Sequence, residues 1–249
     1  AVVLGATTLD WSTCSPVIFA DSRGEVRIAA ASCDEQFFCL DADGNVLWSH
    51  PTRGDLASGV SVGDFDADGR ADIFGVTQLG VIYRYDEEGR VIWDIDIQGR
   101  SLASGALIDV TGNGALEYVL CTQRGNLLVL NQAGEIIFDH QFENRTINMT
   151  AAFGDIIPDR PGLEFAVTGG ESGRIFCFGT NAPVDAAAQW RTYRGDNRLT
   201  GAWFGLVTED EVSMKPENLS WDQLLVGSEI VFQVDDPVQR EGYRTARAV

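Results

Sequence analysis

The chain has 249 residues, 45% of them hydrophobic and 10% aromatic, which is enough for a packed core and too apolar for a disordered segment. Its formal net charge is −19, and Lys215 is the only lysine among 18 basic residues. A nucleic-acid surface needs basic side chains gathered on one face, so nucleic acid is not an expected partner, and no apolar run is long enough for a transmembrane segment.

The chain opens on AVVLGATTLDWSTCS (1–15), which aligns with VIWDIDIQGRSLAS further along and reads as an outer strand and linker detached from their own repeat. Four repeats follow, near 16–50, 58–95, 103–140 and 149–203. DEQFFCLDADGNVLW, GVIYRYDEEGRVIW and GNLLVLNQAGEIIF superpose at an offset of 45, and SGRIFCFGTNAPVDAAAQW is a looser fourth copy with a longer turn. Upstream of each lies a second shared unit whose first aspartate falls at 21, 64, 109 and 155. Each repeat offers four short β-branched and aromatic runs separated by Gly and Asp turns, with no sustained helical period. Four antiparallel strands in that length make a propeller blade. The expected fold is therefore all-β: a β-propeller of four-stranded blades, about four in this chain and part of a larger ring, over residues 1–203, the alternative being a closed ring in which the strand at 1–15 completes the last blade. Trp190 is expected on the outer strand of the last blade. Residues 204–249 read as an acidic linker and the start of an appended β-sandwich-like segment.

The tetrapeptide DADG occurs twice, and its two copies differ in their surroundings. The first, at 41–44, sits between FFCL and VLW, where its counterparts are DEEG and NQAG. Only the glycine persists, as a hairpin turn with one residue at positive φ requires. The second lies in GDFDADGRADI, where Asp64, Asp66, Asp68 and Asp72 stand at positions 1, 3, 5 and 9, with Gly69 at position 6 and the carbonyl of Arg70 at position 7. That is the spacing of a calcium loop, in which alternate side chains turn inward around the ion. Four carboxylates in nine residues repel one another without a cation.

This loop between the first two strands of a blade resembles that of the FG-GAP/VCBS-type propellers, the integrin-α-like and quinoprotein-like calcium-binding repeat proteins. The resemblance implies that Asp64, Asp66, Asp68, Arg70 and Asp72 hold Ca2+. It also implies a weaker site in the next blade at Asp109, Thr111, Asn113, Ala115 and Glu117, and a shifted one at Asp155, Asp159 and Glu164. The short ADSRGEV of the first blade is expected to hold no metal. QWRTYRGDNRLTGAW (189–203) is similar to a segment that borders the blade array in such propellers.

No catalytic motif of the GxSxG, HExxH or P-loop kind is present. His50 and His140 occupy equivalent repeat positions and read as exposed strand-end residues. The resulting expectation is a non-catalytic, calcium-stabilised module for recognition, adhesion or spacing in a secreted or cell-surface protein, contacting a glycan or protein ligand and the rest of a larger chain or another copy of itself. A propeller-type polysaccharide lyase is the alternative, although no base stands out, and fold alone cannot supply a function. The RGD tripeptides at 53–55 and 194–196 and the sequons at Asn144, Asn148 and Asn218 read as incidental. Of the five cysteines, Cys39 and Cys177 read as core residues, and Cys14 and Cys33, which a propeller places on one face of the same blade, are the disulfide candidates in an oxidising compartment. Blade-to-blade connections, with Arg53, Asp55 and Arg100, fall on the rim opposite the calcium loops, and a partner is expected there.

Overall fold

The computed structural model describes residues 14–142, 147–157, 160–169, 174–195 and 201–205, all within one compact unit. The detached strand expected before residue 14, nearly all of the 204–249 segment, and Asn144, Asp159, Asp196 and Asn218 lie outside the described residues. Blade one consists of β1 (Val17–Ala20), β2 (Val26–Ser32), β3 (Gln36–Asp41) and β4 (Val46–Pro51), paired antiparallel in chain order. Blade two repeats this with β5 (Ser61–Gly63), β6 (Asp72–Val76), β7 (Val81–Tyr85) and β8 (Val91–Asp96). Blade three uses β9 (Ala106–Ile108), β10 (Glu117–Cys121), β11 (Asn126–Leu130) and β12 (Ile136–Gln141), and blade four contributes β13 (Ala152–Gly154), β14 (Glu164–Gly169) and β15 (Arg174–Gly179). The aspartates at 21, 64, 109 and 155 each follow directly on the first strand of their blade. The all-β propeller-blade architecture expected from the repeat is the one observed.

Burial falls off from the inner to the outer strand. In blade two every residue of β5, β6 and β7 is buried, whereas β8 alternates between half-buried and exposed. Strands covered on both faces read as continuous apolar runs, which is why SVG, DIFGV and VIYRY carry little alternation. The third and fourth strands of blades one to three share a bulge, with Leu47, Ile92 and Ile137 left unpaired immediately before Trp48, Trp93 and Phe138. Bulges re-aim neighbouring side chains. Here Trp48 Nε1 donates to the Glu87 carbonyl and Trp93 Nε1 donates to the Gln132 carbonyl, both at 3.1 Å, so each outer-strand indole ties its blade to the next. The turn glycines at Gly44, Gly89 and Gly134 have φ of 84°, 83° and 81°. A Cβ on Gly89 would stand 2.5 Å from Trp48, so close approach of the neighbouring blade is a second reason for glycine.

One element departs from expectation. Trp190 does not lie on the outer strand of blade four: β16 (Ala188–Trp190) adds antiparallel to β9, the innermost strand of blade three. The connection after β15 is too long for a tight hairpin and instead runs back beside the blade-four loop, where Leu163 N donates to Ala182 O at 2.8 Å. It then enters the centre of the blade array. The chain returns as β17 (Ala202–Trp203), parallel to β1. The described parts of this segment, 187–195 and 201–203, thus form a central strap bonded to all four blades: Ile18 N to Gly201 O (2.9 Å), Asp64 N to the Gln189 side chain (2.5 Å), Asp109 N to Ala187 O (2.8 Å) and Phe153 N to Arg191 O (3.4 Å). Trp190, fully buried, is its anchor.

Candidate metal centre

The loop between β5 and β6 is wound by its own aspartates. Asp64 Oδ1 accepts from Asp68 N at 3.0 Å and its Oδ2 from Gly69 N at 3.1 Å, while Asp68 Oδ1 accepts from Arg70 N at 2.9 Å. Gly69 supplies the positive φ of 81° that the sixth position of such a loop demands. At the loop's end Asp72 is buried and its Oδ2 accepts from Phe65 N at 2.8 Å, closing the coil. Carboxylate oxygens of Asp64, Asp66 and Asp72 converge within 4.8 Å of one another. The side chain of Asp68, another expected ligand, stands outside this cluster. The Arg70 guanidinium reaches Glu88, and Glu87 at 3.3 Å.

The structure also places a residue the sequence reading passed over. Arg84 of β7 lies almost wholly buried beneath the loop: its Nε donates to Asp72 Oδ1 at 2.7 Å, its Nη2 to Asp66 Oδ2 at 2.5 Å, and its Nη1 to the Gln132 carbonyl at 3.2 Å. The guanidinium lies 5.2 Å from the centre of the Phe65 ring. Part of the crowding among the four aspartates is therefore relieved by an internal cation. Burial still pushes the Asp72 carboxyl up to about 6, against the lowering effect of Arg84, and burial likewise raises Asp64. One arginine does not offset four carboxylates, and the donors are all oxygen. Ligands lying about 2.3–2.6 Å from a calcium ion can span the observed separation, so the residues fit Ca2+. Asp64, Asp66 and Asp72 would hold it, and the ion would supply the positive charge that a single guanidinium leaves wanting.

The loop is clamped from two sides. The Gln189 amide of the strap takes the Asp64 N–H through Oε1 and gives its own Nε2 hydrogen to the Asp64 carbonyl at 3.2 Å. Gln132, in the β11–β12 turn of blade three, donates through Nε2 to the Phe65 carbonyl at 2.8 Å.

In blade three the equivalent loop satisfies itself. Asp109 Oδ1 accepts from Gly112 N and Asn113 N at 2.7 and 3.1 Å, and its Oδ2 from Gly114 N at 2.9 Å. Glu117, buried, accepts from Val110 N at 2.9 Å and from the Thr111 hydroxyl at 3.0 Å, and Asn113 Oδ1 takes Ala115 N at 2.7 Å. Thr111 and Asn113 thus hydrogen-bond toward the acid that closes the loop, where Asp66 and Asp72 share an arginine. In blade four Glu164 is fully buried and accepts from Ile156 N at 2.9 Å, while Asp155 is exposed and Asp159 lies outside the described residues. A carboxylate at the head of the second strand, closing the loop before it, recurs in blades two, three and four.

The first DADG copy is a turn: Asp41 Oδ1 accepts from Asp43 N at 2.9 Å and Asn45 N at 2.8 Å, and among the described residues Asp41 belongs to no cluster of three metal-ligating side chains. His140 is exposed, but His50 is half-buried, with Nδ1 3.2 Å from the Tyr85 hydroxyl, and burial lowers its pKa. Cys39 is core, whereas Cys177 is exposed, because β15 turns Phe176 and Phe178 inward and Ile175 and Cys177 outward. Burial, with a smaller contribution from Cys33, pushes the Cys14 thiol up to about 11, so the two cysteines are electrostatic neighbours. In the first RGD, Gly54 is buried under Leu79 and Arg53 pairs with Asp94.

Fold and site together define a β-propeller blade array with a concentrated acidic loop in its second blade. No protein-family model and no curated protein sequence matches the chain. Among solved structures it is similar to BBS1N in complex with ARL6DN, at 15% identity and a TM-score of 0.49 over 66% of this chain and 51% of that one. It is also similar to BamB from Moraxella catarrhalis, at 18% identity and a TM-score of 0.43 over 68% and 53%. A third is the Myceliophteria thermophila Cps50 (Swd1) β-propeller domain, at 15% identity and a TM-score of 0.46 over 72% and 57%. The chain spans about half the length of the solved chains it matches. Among the described residues no helix is long and apolar enough to cross a membrane.

Proposed function

We propose that the chain is a non-catalytic, calcium-stabilised β-propeller module serving recognition or spacing in a secreted or cell-surface protein, with a glycan or protein as partner. The observation that carries the reading is the convergence of Asp64, Asp66 and Asp72 at the mouth of a loop whose backbone is clamped by two other parts of the fold. A site braced by Arg84, Gln132 and Gln189 suits a structural ion that locks blade two to blade three and to the strap.

An ion bound only by the folded chain raises stability by about 2.7 kcal/mol at a concentration 100 times its dissociation constant. For a chain of this size that is a rise of about 5–10 °C in melting temperature. Calorimetry in calcium and in chelator should show this rise, and Asp66→Ala, which removes one exposed ligand, should abolish most of it. Identical melting in the two buffers would refute a structural ion.

The extracellular reading carries its own test. Cys14 and Cys33 are proposed to form a disulfide on exposure to an oxidising compartment, with Cys39, Cys121 and Cys177 remaining thiols. Peptide mapping without reductant, on protein made through a secretory route, should recover the Cys14–Cys33 linked pair; recovery of both as unlinked peptides would end that proposal.

A further inference from the structure

On the rim opposite the acidic loop, the connections of blades two and three border an open cavity of about 440 Å³ lined by Leu79, Gln98, Gly99, Arg100, Gln123 and Arg124. Its walls are the β6–β7 turn, the β8–β9 connection and the β10–β11 turn, joined by hydrogen bonds from Gln123 N to Arg100 O at 2.8 Å and from Ile97 N to Gly80 O at 3.0 Å. Arg124 lies across Gly99, its Cδ 3.3 Å from where a Cβ would stand. Both arginines are exposed, and among the described residues neither has a carboxylate within ion-pair distance. Arg53, by contrast, is paired with Asp94. In a chain of net charge −19, two guanidiniums in one cavity without an ion-pair partner among the described residues are an anomaly of placement.

The repeat provides an internal control. The same six positions at the junction of blades one and two are Asp34, Arg53, Gly54, Asp55, Gln78 and Leu79. That junction makes the equivalent hydrogen bond, Gln78 N to Asp55 O at 2.8 Å, with an aspartate and a leucine where blade three's junction has Arg100 and Arg124. The fold does not need the arginine pair. Gln98, moreover, is held at a φ of 51°, a conformation that few residues other than glycine adopt, by its N–H bond to Asp96 Oδ1 at 2.8 Å.

We propose that this cavity binds the carboxylate of an acidic sugar residue, a uronic acid within a sparsely charged glycan. The inference rests on the recognition-module reading and is independent of calcium. Two planar guanidiniums match a carboxylate in bidentate fashion, and the Gln98 and Gln123 amides, which both donate and accept, match ring hydroxyls. Arginine clusters also recognise acidic peptide motifs, so a peptide carboxylate is the rival ligand, and it is the two glutamine amides beside the arginines that favour a hydroxyl-bearing ring. The acidic remainder of the surface opposes dense polyanions, which favours isolated negative charges.

The test is titration of the full chain, followed by NMR or calorimetry, with D-glucuronate, D-glucose and an N-acetyl-glutamate amide. Glucuronate should bind at least about tenfold more tightly than glucose and than the glutamate amide, and the R100Q/R124Q double variant should lose at least about tenfold in glucuronate affinity. Both side chains are exposed, so the variant should melt as the parent does and keep its calcium response. Failure of glucuronate to bind while calcium still raises the melting temperature would overturn the cavity assignment and leave the scaffold reading intact. Tighter binding of the glutamate amide, or glucuronate binding undiminished in the double variant, would overturn it equally, in favour of a peptide or of another surface.

Discussion

Arg84→Met should cost about 3–5 kcal/mol in chelator, the loss that follows when one partner of a buried ion pair is removed and the other stays behind. The partner left behind is Asp72, buried at the head of β6 and already raised by its surroundings, with Asp66 beside it. Methionine keeps most of the volume between Phe65 and the strands, so the loss is electrostatic rather than a cavity. The same substitution removes the positive charge that competes with a metal for Asp66 and Asp72. Calcium should therefore recover a large part of the lost stability, and the calcium-induced rise in melting temperature should be greater in the variant than in the parent. Paired melts of both proteins, with and without chelator, decide the matter. If the variant loses stability and its calcium response together, Arg84 organises the loop for the ion instead of competing with it, and the charge-balance account is wrong.

Arg84 also marks the boundary of what could be read without coordinates. The blades were legible because the Gly and Asp turns and the aromatic anchors recur at a fixed offset, and each recurrence has a physical cause: the positive φ of Gly44, Gly89 and Gly134, and the inter-blade hydrogen bonds of Trp48 and Trp93. The acidic loop was legible because its spacing is local. A signal for Arg84 existed in VIYRY, where a charge stands at the repeat position that holds Cys39 and Val129. A buried charge in an apolar strand calls for a partner, and the aspartates were the nearest supply. No such signal announced Gln132 or Gln189, whose roles depend on which turns of different blades meet in space. Trp190 misled for the opposite reason. It sits at the end of a repeat copy, as Trp48 and Trp93 do, but those two are half-buried and reach a neighbouring carbonyl, whereas the Trp190 indole is wholly buried and its Nε1 has no hydrogen-bond partner among the described residues. Only a long connection carrying it to the centre satisfies that demand for burial.

Trp190→Ala should therefore damage more than one blade. Emptying a fully buried indole site costs about 3–5 kcal/mol, and Gly195, where a Cβ would stand 3.0 Å from the Trp190 ring, has no side chain to fill the space. The consequence peculiar to this fold is where the loosening spreads. Ile18, Asp64, Asp109 and Phe153 each give their N–H to the strap, and they lie within or directly after the inner strands of four different blades. Hydrogen exchange in the Trp190→Ala variant should accelerate at these four amides together, because opening the strap releases all of them in one local event. Amides paired between β7 and β8, which do not depend on the strap, should keep most of their protection. Trp190→Phe, which restores most of the buried ring, should return all four toward parental rates. Acceleration confined to Asp109, the amide beside β16 itself, would mean that the strap is an appendage of blade three and not the tie that holds the inner strands in common.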